Sequence, residues 1–136
     1  MSVAWEAANA AGAIIRENWQ QPKTIDYKGA IDLVTSVDRE CERQIVDVIR
    51  RNFPDHSILA EEETDVDGAH NHYRWIIDPL DGTTNFVHSY PQFSVSIALE
   101  QNGGVIVGLV YDPIRNECFK AALGQGATLD GSGIQT

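Results

Sequence analysis

The 136-residue chain, 43% hydrophobic and 22% charged, has the composition of one soluble globular domain, and no stretch approaches the roughly 20 apolar residues of a membrane span. Twenty acidic against ten basic side chains give a net charge of −10, which argues against a nucleic-acid binder resting on its own phosphate contacts and, for a protein that handles an anion, points to a divalent cation. Two isolated cysteines, Cys41 and Cys118, form neither a disulfide framework nor a zinc pattern, and with no basic leader ahead of the apolar N-terminal stretch they imply a reducing, cytoplasmic setting.

Residues 2–20 read as a helix. Ala4, Ala7, Ala8, Ala11, Ile14 and Ile15 recur at helical spacing with Glu6, Arg16 and Glu17 off the stripe, and Pro22 stops the helix by disfavouring helical geometry in the residue before it. Residues 22–34 are expected to form a connector containing Lys28-Gly29 and Leu33-Val34. A second helix is expected from Thr35-Ser36, where Thr35 and Asp38 fit a capping pattern with an acid in the first turn. Val37, Cys41, Ile45, Val48 and Ile49 make its apolar face, and Phe53-Pro54 ends it. Cys41 lies on that face and reads as a small buried hydrophobe, not a reactive thiol.

The period changes after residue 54. Residues 58–60 are a short apolar run, 64–72 a polar loop, and 73–77 a strand ending at Asp78. Phe93, Val95, Ile97 and Leu99 alternate with Ser94, Ser96, Ala98 and Glu100, the pattern of a half-buried strand. Asn102-Gly103-Gly104 supplies turn chemistry; residues 105–111 are apolar on both faces, as a central strand would be. Asp112-Pro113 opens another turn, 117–123 read as a strand, and Gly124, Gly126, Asp130-Gly131 and Gly133 mark a last short hairpin. Two helices followed by hairpin-linked strands favour an α+β fold with a mainly antiparallel sheet over a parallel doubly wound one.

Acids cluster in residues 55–81: Asp55, Glu61, Glu62, Glu63, Asp65, Asp67, Asp78 and Asp81 against the single base Arg74. Such a run is ordinarily a solvated face. Here, however, Glu61 and Asp78 each directly follow an apolar run, so both stand at strand ends where a scaffold fixes them. The segment Asp78-Pro79-Leu80-Asp81-Gly82-Thr83-Thr84-Asn85-Phe86 is the most informative in the chain. Pro79 is expected to turn the backbone sharply after Asp78, aiming Asp78 and Asp81 at one point with the Leu80 carbonyl between them. Hard cations such as Mg²⁺ accept this mixture of oxygens. Gly82 lets the chain approach a ligand, and Thr83 is expected to cap a short helix whose free N–H groups face an anion. A plain Asx turn with a helix cap is the alternative reading of the same residues.

DPLDGTTNF, preceded by WII and followed by VHSYPQFSVSIAL, resembles the signature of the inositol monophosphatase family of Mg²⁺-dependent, lithium-sensitive phosphatases. DLVTSVDRECERQI (32–45) and ILAEE (58–62) are similar to its two upstream signatures in order and spacing, and the resemblance spans about residues 24–130. It implies the first half of the layered α/β sandwich of the sugar phosphatases. It also implies that two or three Mg²⁺ ions are held by Glu61, Asp78, the Leu80 carbonyl and Asp81, with Glu62 a supporting carboxylate. Asp38 and Thr83 would form a hydrogen-bonded pair orienting the attacking water, backbone N–H groups of Gly82 and Thr83 would hold the phosphate with Thr84 beside them, and Lys28 stands one residue from a family lysine. The implied reaction is hydrolysis of a phosphate monoester by metal-activated water.

Thr84-Asn85 leans toward inositol monophosphate as substrate. Bisphosphate nucleotidases tend to carry Lys-Glu there and histidinol-phosphatase relatives Arg-Ser; fructose 1,6-bisphosphate stays open, as some relatives accept both. Other relatives resemble binding partners of the transcription machinery, and the family's common homodimer is an analogy. No direct nucleic-acid or membrane partner is implied. The family's pattern continues into a W-D-x-A-A-G segment and a C-terminal substrate domain that residues 1–136 do not contain, so this stretch is expected to be the N-terminal metal-binding domain, with weak second-metal binding and little turnover by itself. His70 and His72 read as surface loop residues, since hard Mg²⁺ sites prefer oxygen; His56 and His88 have no assigned role. Trp5, Trp19 and Trp75 read as packing residues.

Overall fold

Alanines at 4, 7, 8 and 11, with Gly12 and Ile15, give α1 (Ser2–Trp19) a buried stripe of small side chains. Such a stripe lets a second helix come close, and the buried Cys41 thiol reaches the Ala11 carbonyl at 3.6 Å. Burial, with the charges of Asp38 and Glu40 adding to it, pushes that thiol up to about 12, so Cys41 behaves as the small hydrophobe its position predicts. The computed structural model describes residues 2–19, 27–61, 65–66 and 72–135, and the side chains of all these except 27–35 and 65–66.

α2 (Tyr27–Asn52) starts at Tyr27, not at Thr35. The expected connector is largely helix, and Thr35 and Asp38 lie inside it instead of capping it. Ala30, Ile31 and Val34 continue the apolar stripe backward at helical spacing, and one internal glycine, costing about 1 kcal/mol, does not stop such a pattern.

Among the described residues eight strands follow: β1 (Ser57–Ala60), β2 (Asp65–Val66), β3 (Tyr73–Asp81), β4 (Ser94–Gln101), β5 (Gly104–Asp112), β6 (Glu117–Ala122), β7 (Gly126–Leu129) and β8 (Ser132–Ile134), with the short α3 (Thr83–Val87) between β3 and β4. They form one sheet in the order β2-β1-β3-β4-β5-β6-β7-β8. β2 falls within the expected polar loop, pairing with β1 through Ile58–Val66 and Leu59–Asp65. Among the described residues every pairing is antiparallel except β1 with β3. Hairpin turns at Asn102-Gly103 and Asp130-Gly131 take the positive φ angles (51° and 86°; 50° and 88°) that two-residue connections require.

α1 packs on β4 and β5 while α2 packs on α1 and β3. The core therefore lies on one face of the sheet, where Trp75, Ile77, Val95, Ile97, Leu109, Tyr111 and Cys118 are buried. The other face carries Ile76, Val110 and Phe119 at 36–41% exposure. β5 is central by position, yet its two faces are not equally buried as its apolar run suggested, because both helices sit on one side. Trp75 is core, Trp5 meets Tyr111 edge-on at 5.0 Å, and Trp19 packs on Phe93 at 5.0 Å. Among the described residues no helix is long and apolar enough to cross a membrane.

Candidate functional site

The parallel pair builds one corner of the molecule. Ala60 of β1 stands opposite Ile77 of β3, and the Glu61 N–H donates to the Ile77 carbonyl at 3.1 Å. Glu61 and Asp78, the next residue on each chain, thus emerge side by side at the same end of the sheet.

β3 does not turn away at Asp78. It runs on to Asp81, with Asp78 opposite Ser96 and Asp81 opposite Ser94, so three steps on β3 match two on β4. Pro79 has no N–H to give the ladder, and the surplus residue is absorbed as a bulge. The expected sharp turn is therefore a bulged strand, with Pro79 and Leu80 buried and Asp81 exposed. The Leu80 N–H donates back to Asp78 Oδ1 at 3.3 Å. Burial, a side-chain hydrogen bond with Glu61 and the negative charges of Glu61 and Asp81 push the Asp78 carboxyl up to about 7, against the opposing Leu80 N–H. Like charges at a partly buried strand end disfavour double ionisation.

Gly82 comes next, with φ 99° and ψ 35°, and serves as N-cap of α3 without a side-chain cap bond. Thr83, expected to be the cap, is the first helical residue; its hydroxyl donates to the Leu80 carbonyl at 3.1 Å. A side chain at position 82 is excluded twice. The positive φ disfavours it, and a Cβ there would lie 2.8 Å from the Gln92 carbonyl oxygen.

Asp38 is buried at 5% exposure on α2, which packs against α3. Thr84 is exposed in the first turn of α3. The side chains of Lys28 and Glu62 lie outside the described residues, as does His70. His72 is exposed with Nδ1 3.0 Å from Asn102 Oδ1, and His88 is exposed. Asn85 Nδ2 donates to the Gln92 carbonyl at 2.8 Å.

A cleft of about 580 Å³ opens beside Asp81 and Gly82, walled by Asn85, Gln92, Asp112 and Arg115. Glu61 and Asp78 do not line it. Gln92, Asp112 and Arg115 had no signal in the sequence, because nothing local connects a turn after β5 to a loop before β4.

Among the described residues, no group of three His, Cys, Asp or Glu side chains is gathered tightly enough to ligate a metal. The donor chemistry nonetheless suits a hard cation. Glu61, Asp78, the Leu80 carbonyl and Asp81 offer only oxygen, and a cation would relieve the like-charge repulsion between Asp78 and Glu61.

The family model described as "Inositol monophosphatase family" matches residues 1–136. The chain is 45% identical over 133 residues to "Nus factor SuhB" of Escherichia coli, covering 96% of this chain and 50% of that protein. It is 49% identical over 136 residues to "Inositol-1-monophosphatase" of Synechocystis sp., covering 99% and 47%. Among solved structures, inositol monophosphatase from Anabaena (Nostoc) sp. superimposes with a TM-score of 0.85 at 44% identity, covering 99% of this chain and 48% of that one. Extragenic suppressor protein suhB from Bartonella henselae gives a TM-score of 0.91 at 35% identity, covering 100% and 53%. The chain spans about half the length of the curated relatives it matches.

Proposed function

Since this chain belongs to the inositol monophosphatase family, we propose that it supplies the metal-binding part of a Mg²⁺-dependent phosphate monoesterase, with inositol monophosphate as the preferred substrate. Glu61, Asp78, the Leu80 carbonyl and Asp81 would hold Mg²⁺, with Glu62 in support. A bound Mg²⁺ supplies charge that neutralises phosphoryl oxygens and acidifies water. The backbone N–H groups of Gly82 and Thr83, with Thr84 beside them, fix the phosphoryl group, and their orientation is set by Gly82 before any ligand arrives. Asp38 and the Thr83 hydroxyl orient the attacking water; for this the hydroxyl exchanges its Leu80 partner for Asp38. The free thiols of Cys41 and Cys118 suit the reducing cytoplasm in which we place the protein.

The observation that carries this reading is the parallel β1–β3 pairing, which sets Glu61 beside Asp78 next to the Gly82 loop. Its test is thermal unfolding against Mg²⁺ concentration. Wild type is expected to gain stability as RT ln(1 + [Mg²⁺]/Kd), and Asp78→Asn to lose most of that gain. No Mg²⁺-dependent shift in wild type, or an equal shift in Asp78→Asn, would overturn it. In the full-length protein, metal-dependent phosphate release from inositol monophosphate is expected to drop at least about a hundredfold in Asp81→Asn. Running fructose 1,6-bisphosphate and a bisphosphate nucleotide alongside separates the substrate classes.

A second reading takes its support from the relatives named Nus factor SuhB: the chain serves as a regulatory binding partner, and its surface matters more than turnover. Asp81→Asn separates the two, since biological function unchanged in that variant would favour the binding role.

A further inference from the structure

Arg115, on the turn between β5 and β6, has no part in the phosphatase reading, yet it reaches the loop on which that reading depends. Residues 88–93 cross in front of Gly82, and the Gln92 carbonyl and Phe93 Cα would lie 2.8 Å and 3.2 Å from a Cβ at position 82. Asn85 Nδ2 holds the Gln92 carbonyl from one side at 2.8 Å. From the other side Arg115 Nη1 donates to Gln92 Oε1 at 2.9 Å. Arg115 is itself anchored: Nη1 also donates to Asp112 Oδ2 at 3.1 Å, and the N–H groups of Ile114 and Arg115 both donate to Asp112 Oδ1 at 2.9 Å. The side chain of Arg115 is 49% exposed, so its ion pair with Asp112 adds little to stability. What the pair does is fix the direction of the guanidinium.

We propose that Arg115 is a positioning residue that acts through Gln92 to hold the 88–93 segment against Gly82, and so keeps the backbone N–H groups of Gly82 and Thr83 aimed at the phosphoryl group. The inference rests on the phosphatase reading for what the loop binds, but not for the clamp itself. A hydrogen bond from a charged donor is strong enough to change local opening by about tenfold.

Hydrogen exchange read residue by residue tests it. The Phe86 N–H, bonded to the Gly82 carbonyl at 3.1 Å, and the His88 N–H, bonded to the Thr84 carbonyl at 3.1 Å, report on the turn from Gly82 into α3 that the segment holds. Arg115→Ala and Gln92→Ala are each expected to speed exchange at both amides by about tenfold, leaving β4–β5 amides unchanged. The double variant is expected to be no faster than either single one, as the two residues form one clamp. Arg115→Lys should recover part of the protection, because a single ammonium reaches Gln92 or Asp112 but not both. Wild-type exchange at Phe86 and His88 in Arg115→Ala would overturn the proposal, and so would acceleration spread evenly over the sheet or additive effects in the double variant. Inorganic phosphate with Mg²⁺, titrated against the Gly82 and Thr83 amide signals, separates this idea from the phosphatase reading. No phosphate response in wild type would sink that reading, while the exchange result still decides the clamp.

Discussion

The imidazole of His56 lies face to face with Phe53, ring centres 4.5 Å apart and planes 1° from parallel, and on its other side meets Tyr73 at 4.8 Å. Its Nδ1 accepts the indole N–H of Trp75 at 3.0 Å. Indole only donates, so the imidazole is neutral with its proton on Nε2. Burial lowers the pKa of His56 from the usual 6.5, and the charge of Asp55 opposes that only in part. The sign of the pH effect follows. The unfolded chain takes up the proton first, so the contribution of His56 is complete above about pH 6.5 and is lost as pH falls through that value toward the lower folded-state pKa. Urea midpoints between pH 7 and pH 5 are expected to drop more steeply for wild type than for His56→Asn, which keeps an acceptor but does not titrate; equal slopes would refute the assignment. Nothing in the sequence marked His56, because it precedes β1 while its partner Trp75 stands on β3.

At the level of elements, α1 meets β5 with almost no room to spare. A Cβ on Gly12 would come within 2.5 Å of Tyr111 Cε2 and 3.3 Å of Pro113 Cβ. The Tyr111 ring is not free to swing aside: its hydroxyl accepts from Arg16 Nη1 and donates to Asn116 Oδ1, both at 2.9 Å, and Trp5 abuts it at 84°. Alanine at position 12 would gain about 1 kcal/mol of helix propensity but overpack the contact by about 1–3 kcal/mol. Gly12→Ala is therefore expected to lower stability in urea unfolding by about 1 kcal/mol, and a stabilised variant would show that the ring shifts more easily than its hydrogen bonds suggest. The stripe of α1 was readable from its period. The start of α2 was misplaced, because Lys28-Gly29 resembles a break while the helix ignores it, and the bulge of β3 was read as a turn because proline forbids only a ladder bond.

Across the whole molecule, among the described residues, α1 and α2 both pack on one face of the sheet. Leu109 and Val110 are chain neighbours on β5, one 2% exposed under the helices and the other 41% exposed on the far face. Leu109→Ala is expected to cost about 2–5 kcal/mol, and Val110→Ser less than about 1 kcal/mol. Denaturant unfolding of the two variants checks this asymmetry; comparable losses would mean that the far face is packed as tightly as the near one.

Element order, the alternating strands, the tight hairpin turns and the DPLDGTTNF segment were all legible in the amino-acid sequence, because periodicity and turn chemistry act over a few residues. The parallel seating of β1 against β3, which sets Glu61 next to Asp78, was not, and neither was the bond from Arg115 to Gln92, 23 positions away. Pairings of that kind depend on which apolar faces pack together once the helices have settled on the sheet, and no local pattern of residues encodes that choice.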